Sequence, residues 1–136
     1  MRSVLVTILC LLAFNVQARD FEDAYATYGA GARSCSEYTQ AVKAGGSRQD
    51  FFLDFVIGYF SAFNVIMPET YDILGDMDFP KVQEWLDERC KKFPRELFVN
   101  SVAKMTTILY PTRYKSGLKN PPPAKRNLKD VSKNLK

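Results

Sequence analysis

The apolar positions fall into five runs, and four of them carry a helical period. The first run is different. Val4 to Phe14 is apolar except for Thr7 and Asn15 follows it, with no polar face at any period. Cys35, Tyr38 and Val42 then recur at helical spacing behind Ser34, and Glu37 stands three residues after that serine. This is the pattern of a capping box opening a short helix, which Gly45-Gly46 ends. A second helix begins at Ser47 or Arg48. From Phe51 to Met67 it is apolar almost all round, broken by Asp54, Ser61 and Asn64, which predicts a buried central helix. Gly58 and Ala62, four apart, predict a small-residue groove where another helix approaches closely. Pro68 ends this element.

Residues 69–79 read as a connecting loop with Gly75 and four carboxylates, Glu69, Asp72, Asp76 and Asp78. Asp78 is placed as an N-cap, with Pro80 in the first turn of a third helix. Val82, Trp85, Leu86 and Cys90 share one face of it, and Lys91-Lys92 suit its negative end. Pro94 is expected to open a fourth helix with a stripe of Leu97, Phe98, Val102, Met105, Ile108 and Leu109, ended by Pro111. No segment alternates with period two over strand length. The expected fold is all-α, a small four-helix orthogonal bundle.

The first run reads as a secretory signal peptide over residues 1–18. Met1-Arg2 is the charged start, and Val16-Gln17-Ala18 places small residues for cleavage before Arg19. The run is roughly half the ~20 residues a membrane span needs. The residues before Cys10 do not fit a lipidation site. Export and cleavage leave two cysteines, Cys35 and Cys90, and an oxidising compartment pairs them. The expected location is the periplasm.

Charge divides the rest. Residues 19–111 hold 10 basic and 14 acidic side chains, whereas residues 112–136 hold 8 basic and 1 acidic. The mature chain is therefore read as a lead-in (19–33), an acidic helical domain (34–111) and a basic tail (112–136). Pro121-Pro122-Pro123 and the scarcity of apolar residues predict that this tail is disordered and dispensable for folding. Its charge would draw it to anionic envelope surfaces. Because the positive charge sits off the folded domain, the pI of about 9.0 gives no case for nucleic acid as a partner.

Candidate chemistry is sparse. The chain has no histidine, hence neither the usual general base nor the commonest metal ligand. It has no phosphate-cradling glycine loop and no nucleophile elbow. Asp72, Asp76 and Asp78 lack the spacing of a calcium loop. Asp54 and Glu88 read as structural or surface carboxylates, and Trp85 as a core residue near the bridge. The expectation is no enzyme, no catalytic residue, no metal and no cofactor. What remains is binding of a protein partner or unfolded clients, or pairing as a homodimer. Tyr59, Phe60 and Phe63 are the candidate apolar contacts. Glu69, Asp72, Asp76 and Asp78 form the candidate charged contact, on a loop long enough to protrude.

Three motifs carry a resemblance. Ser34-Cys35-Ser36-Glu37-Tyr38 opens a helix, Tyr71-Asp72-Ile73-Leu74-Gly75 follows the middle helix, and Trp85-Leu86-Asp87-Glu88-Arg89-Cys90 closes the third. Over about residues 33–109 the chain resembles the HdeA-like family of periplasmic acid-stress chaperones, small helical proteins with one disulfide. That resemblance implies protection of unfolded clients under acid stress. Titrating the 14 carboxylates of residues 19–111 near their reference values, about 4, would take the charge of that stretch from about −4 toward about +10 and loosen the bundle. Ile57-Gly58-Tyr59 and the step from Cys90 to Pro94 are also similar to periplasmic immunity proteins that neutralise peptidoglycan amidase effectors of type VI secretion. That likeness implies an acidic loop, residues 69–78, plugging a basic active-site cleft.

Overall fold

The computed structural model describes residues 25–117; the signal-peptide reading and residues 118–136 lie outside the described residues. Four α-helices follow a 3-10 turn at Gly29–Ala32: α1 (Cys35–Ala44), α2 (Ser47–Ile66), α3 (Phe79–Lys92) and α4 (Phe98–Leu109). A second 3-10 turn spans Tyr110–Thr112. Among the described residues the only extended pairings are two isolated antiparallel bridges, Ser34 with Leu97 and Asp72 with Tyr114. The fold is all-α.

Local chemistry sets the helix ends. The capping box forms: Ser34 Oγ accepts from Glu37 N at 3.2 Å, and Glu37 Oε2 accepts from Ser34 N at 2.8 Å. Two orphan N–H groups are thereby satisfied. Asp78 Oδ1 accepts from Lys81 N at 3.1 Å to start α3, whose last turn carries Arg89, Lys91 and Lys92. The first helix and the last also cap each other through backbone. Cys35 N and Ser36 N donate to the carbonyls of Glu96 and Pro94, both at 2.9 Å, and Phe98 N donates to the Arg33 carbonyl at 2.8 Å. This corrects the expectation for Pro94. Residues 94–97 form a turn and a bridge because their carbonyls are needed at the start of α1, so the fourth helix begins only at Phe98.

The core gathers one face from every helix. Tyr38, Phe52 and Phe98 form its aromatic centre: Tyr38 stacks on Phe98 with ring centroids 4.7 Å apart, and Phe52 meets both rings edge-on at 5.5 and 5.0 Å. Such contacts add about 1 kcal/mol each beyond the area they bury. Val56, Val82, Leu86, Val102 and Met105 extend the core. The disulfide between Cys35 and Cys90 crosses it, fully buried, with the Cα atoms 4.7 Å apart. The lead-in belongs to this unit as well. Ala30 is buried, and the Phe55 ring lies so near Gly31 that a Cβ there would come within 2.4 Å of it.

Two expectations from the apolar pattern need correction. The α2 helix is not buried all round. Phe52, Leu53, Val56 and Phe60 face the core, while Phe51, Asp54, Gly58, Ser61, Ala62 and Val65 face outward. A Cβ on Gly58 would meet nothing within 4 Å, so no helix of the described residues fills the Gly58/Ala62 groove. In α4, Leu97 and Ile108 fall outside the buried stripe, which runs through Phe98, Val99, Val102, Met105 and Leu109. No helix of the described residues is long and apolar enough to cross a membrane.

Candidate functional site

The connection between α2 and α3 is a packed cover, not a protruding finger. Ile73 is fully buried, and its N–H donates to Asn64 Oδ1 at 2.8 Å, which fastens the middle of the loop to α2. Each carboxylate expected to face a partner is committed locally. Asp72 Oδ1 accepts from Leu74 N at 3.0 Å, and the Asp72 backbone pairs with Tyr114. Asp76 accepts the Tyr114 hydroxyl. Asp78 caps α3. Glu69 Oε2 lies 3.3 Å from Lys115 Nζ, an exposed pair worth little by itself.

The partner of this cover is the chain's own segment 113–117, which corrects the expectation of a disordered tail from residue 112. Tyr71 N and Asp72 N both donate to the Tyr114 carbonyl, at 2.7 and 3.1 Å, and Tyr114 N donates back to the Asp72 carbonyl at 2.9 Å. Arg113 Nε donates to Thr70 Oγ1 at 3.1 Å, while its guanidinium lies 3.7 Å from the Tyr110 ring centroid. Gly75 takes φ +55°, where a Cβ would meet the Thr112 carbonyl oxygen at 2.5 Å. The sequence signal for this strap was Gly75 together with the aromatic Tyr114. The surrounding basic and proline residues hid it.

The aromatic candidates separate. Phe60 is core and presents no surface. Tyr59 and Phe63 are half-buried, and Phe63 leans on Tyr110 with ring centroids 6.3 Å apart. Burial, and then the nearby Tyr25 hydroxyl, push the Tyr59 phenol up from its ordinary value. Exposed apolar surface collects instead on the far side of α2: Phe51 is 48% exposed, Val65 84% and Ile66 71%. The pattern missed this because it ranks residues by apolarity, and only packing decides which side of an all-apolar helix is covered.

Under the disulfide lies a half-buried charged network. Arg89 Nη2 donates to Glu96 Oε1 at 2.8 Å, and Ser101 Oγ donates to Glu96 Oε2 at 2.7 Å. The guanidinium sits 4.7 Å from the Phe93 ring centroid and 5.6 Å from that of Trp85. Trp85 is therefore at the rim of the core, beneath a cation. Nearby, the fully buried Tyr38 donates to Asp87 Oδ1 at 2.6 Å. Among the described residues, Arg89 Nε is the one buried side-chain polar atom without a hydrogen-bond partner.

An open hollow of about 370 Å³ lies between α1 and the start of α2, walled by Arg33, Glu37, Gln40, Arg48 and Phe51. It holds the Arg33–Glu37 ion pair, at 3.5 Å, and brings no nucleophile to a base. Among the described residues no three metal-ligating side chains cluster. Comparison of the chain with family models, with curated proteins and with solved structures finds no match.

Proposed function

We propose that this protein is a non-enzymatic, exported binding protein of the periplasm that protects unfolded clients when its surroundings turn acid. One observation carries the reading: the cover over Ile73 is held down by carboxylates. Asp76 accepts the strap's Tyr114 hydroxyl, the Asp72 carboxylate accepts from Leu74 N and so shapes the turn whose backbone pairs with Tyr114, and Glu69 faces Lys115 at the exposed edge. Protonation weakens these charge-assisted contacts together and leaves a strongly cationic domain that repels itself. With no histidine in the chain, the trigger belongs to carboxylates alone. Release would uncover Ile73 and add it to the apolar surface already offered by Ile66 and the half-buried Phe63, for clients to bind. The Cys35–Cys90 bond keeps the loosened chain compact.

The test compares neutral protein with protein at about pH 2 to 3, below the reference carboxylate values. Acidified protein should bind a hydrophobic dye and suppress aggregation of an acid-labile client. An acidified protein that does neither ends the reading. Export is tested separately, by a mature N-terminus at Arg19 in periplasmic material. Recovery of a peptidoglycan amidase with the protein at neutral pH would favour an immunity role instead.

A further inference from the structure

The strap lies on the loop between α2 and α3 as a bound peptide would. None of residues 111–117 is buried, so no apolar side chain anchors the strap in the core. Its hold is polar. Tyr71 N and Asp72 N donate to the Tyr114 carbonyl, and Tyr114 N donates to that of Asp72, a single added antiparallel rung. Each side chain around that rung meets a complement. Arg113 donates to Thr70 Oγ1, the Tyr114 hydroxyl donates to Asp76, and Lys115 Nζ lies 3.3 Å from Glu69 Oε2. The Tyr71 ring lies against Gly117, where a Cβ would come within 2.6 Å of it. The surface underneath is anchored separately, through Ile73 N to Asn64 Oδ1 and Leu74 N to Asp72 Oδ1. At its rim Glu69 takes φ +51°, the only non-glycine residue in the left-handed region among the described residues. Strain of that kind gathers at ligand clamps, and one exposed pair with Lys115 is too weak to account for it.

We infer that the acidic surface from Glu69 to Asp76 is a docking site for an extended segment of a partner protein, a tyrosine flanked by basic residues, and that the strap is an internal substitute which keeps the site closed until such a segment displaces it. The strap itself shows what fits. The incoming segment adds its main chain to Tyr71 and Asp72, sets its tyrosine hydroxyl on Asp76, and places a basic residue on either side, at Thr70 and at Glu69. Displacement exchanges like for like, so each hydrogen bond given up by the strap is remade by the partner. What the partner must overcome is the high effective concentration of a tethered strap, and contacts beyond the strap's own length supply that. Each strap contact sits at an exposed or half-buried position, so the exchange leaves the core of the bundle intact. This inference goes beyond the proposed function and does not rest on it, because it concerns the folded protein at neutral pH.

The probe is a labelled synthetic peptide with the sequence of residues 110–117, titrated at neutral pH into the purified protein and into its Tyr114→Ala variant. The substitution loosens the strap and leaves Tyr71, Asp72 and Asp76 in place. The peptide should bind the variant with a Kd below about 1 mM, at least about tenfold more tightly than it binds wild type, because the closed strap lowers the competent fraction. Binding should shift the amide resonances of Tyr71, Asp72 and Gly75. A Tyr114→Phe chain, which loses only the hydroxyl, should show a smaller gain, and unchanged helix content checks the fold of both variants. A peptide carrying Arg113→Glu and Lys115→Glu should not bind. No shift at those amides in any chain, equal affinity for wild type and both variants, or equal binding of the charge-reversed peptide would each overturn the inference. Sedimentation showing wild-type dimers that Tyr114→Ala abolishes would overturn it as well, by giving the site to the strap of a second copy.

Discussion

Tyr38 and Asp87 meet across 2.6 Å, the phenol fully buried between Phe52 and Phe98 and the carboxylate at the surface of α3. The bond ties α1 to α3 a short way from the Cys35–Cys90 bridge, so the two helices are joined once by a covalent link and once by a proton. Burial and then the Asp87 carboxylate hold the Tyr38 phenol far above its ordinary range.

A Tyr38→Phe variant should therefore lose about 1 to 2 kcal/mol at neutral pH, read by urea unfolding, because one hydrogen bond to a charged acceptor is removed without a cavity. The alkaline limb gives a second reading. The folded phenol keeps its proton where the unfolded chain gives it up. Its contribution is thus full below about pH 10 and is lost as pH rises further. Wild-type stability should fall above that pH, and the variant should fall less steeply. Tyr59 and Tyr114, whose phenols are also raised, keep a remainder of the slope.

Chains ending at Pro111 and at Gly117 separate a strap from a tail. The shorter chain loses three backbone hydrogen bonds to Tyr71 and Asp72 as well as the Arg113 and Tyr114 side-chain contacts. It should be about 2 kcal/mol less stable than the longer one in thermal unfolding. Gly75→Ala should imitate the loss in the intact chain, since its backbone conformation and the Thr112 carbonyl both oppose a Cβ. Equal melting of all three chains would show that the strap contributes nothing.

Much of the helical order was legible in the sequence because local chemistry enforces it. Ser34 with Glu37, Gly45, and Asp78 with Pro80 each act within one turn of their own helix. What escaped notice depends on residues far apart. Pro94 looked like a helix start, and only the demand of Cys35 and Ser36 for carbonyl partners makes it a turn. Residues 113–117 looked like a tail because charge counts carry no information about Tyr114 reaching Asp76. The burial of Phe60 escapes the apolar pattern for a related reason: Tyr59, Phe60 and Phe63 stand out alike for aromaticity, and only packing turns Phe60 inward and Gly58, Ala62 and Val65 outward.

The Glu37 carboxyl offers an acid-side test. The Ser34 backbone N–H, then the Ser34 hydroxyl, and also the Arg33 charge, hold it below the usual carboxylate range against a small opposing effect of burial. A depressed folded value means stability that is present above the unfolded carboxylate range and lost as pH falls through the folded value. Glu37→Gln should lower Tm at neutral pH, and the gap to wild type should close as the medium is acidified. A gap that stays constant at every pH would show that charge plays no part in the cap.

Reduction tests the bridge. The Cys35–Cys90 bond closes a loop of 55 residues, which the chain-entropy model values at roughly 4 kcal/mol. Denatured, unreduced mature protein should present no titratable thiol. After reduction it should present two, and its urea midpoint should drop accordingly. Full burial of both cysteines predicts that reduction under native conditions waits on opening of the fold.

The reciprocal caps at Ser34 and Leu97 also order events in time. A chain is made from its N-terminus, so the residues of α1 emerge long before the carbonyls of Pro94 and Glu96 that complete their first turn. The same holds in reverse for Phe98, which waits on Arg33. About sixty positions separate the two sides of that bridge, so the closure entropy must be met before either helix start is rewarded. A nascent chain that stops short of Pro94 lacks the carbonyl partners of Cys35 N and Ser36 N, which the capping box of Ser34 and Glu37 does not supply. Folding of the bundle is thereby deferred until the residues through Phe98 are present.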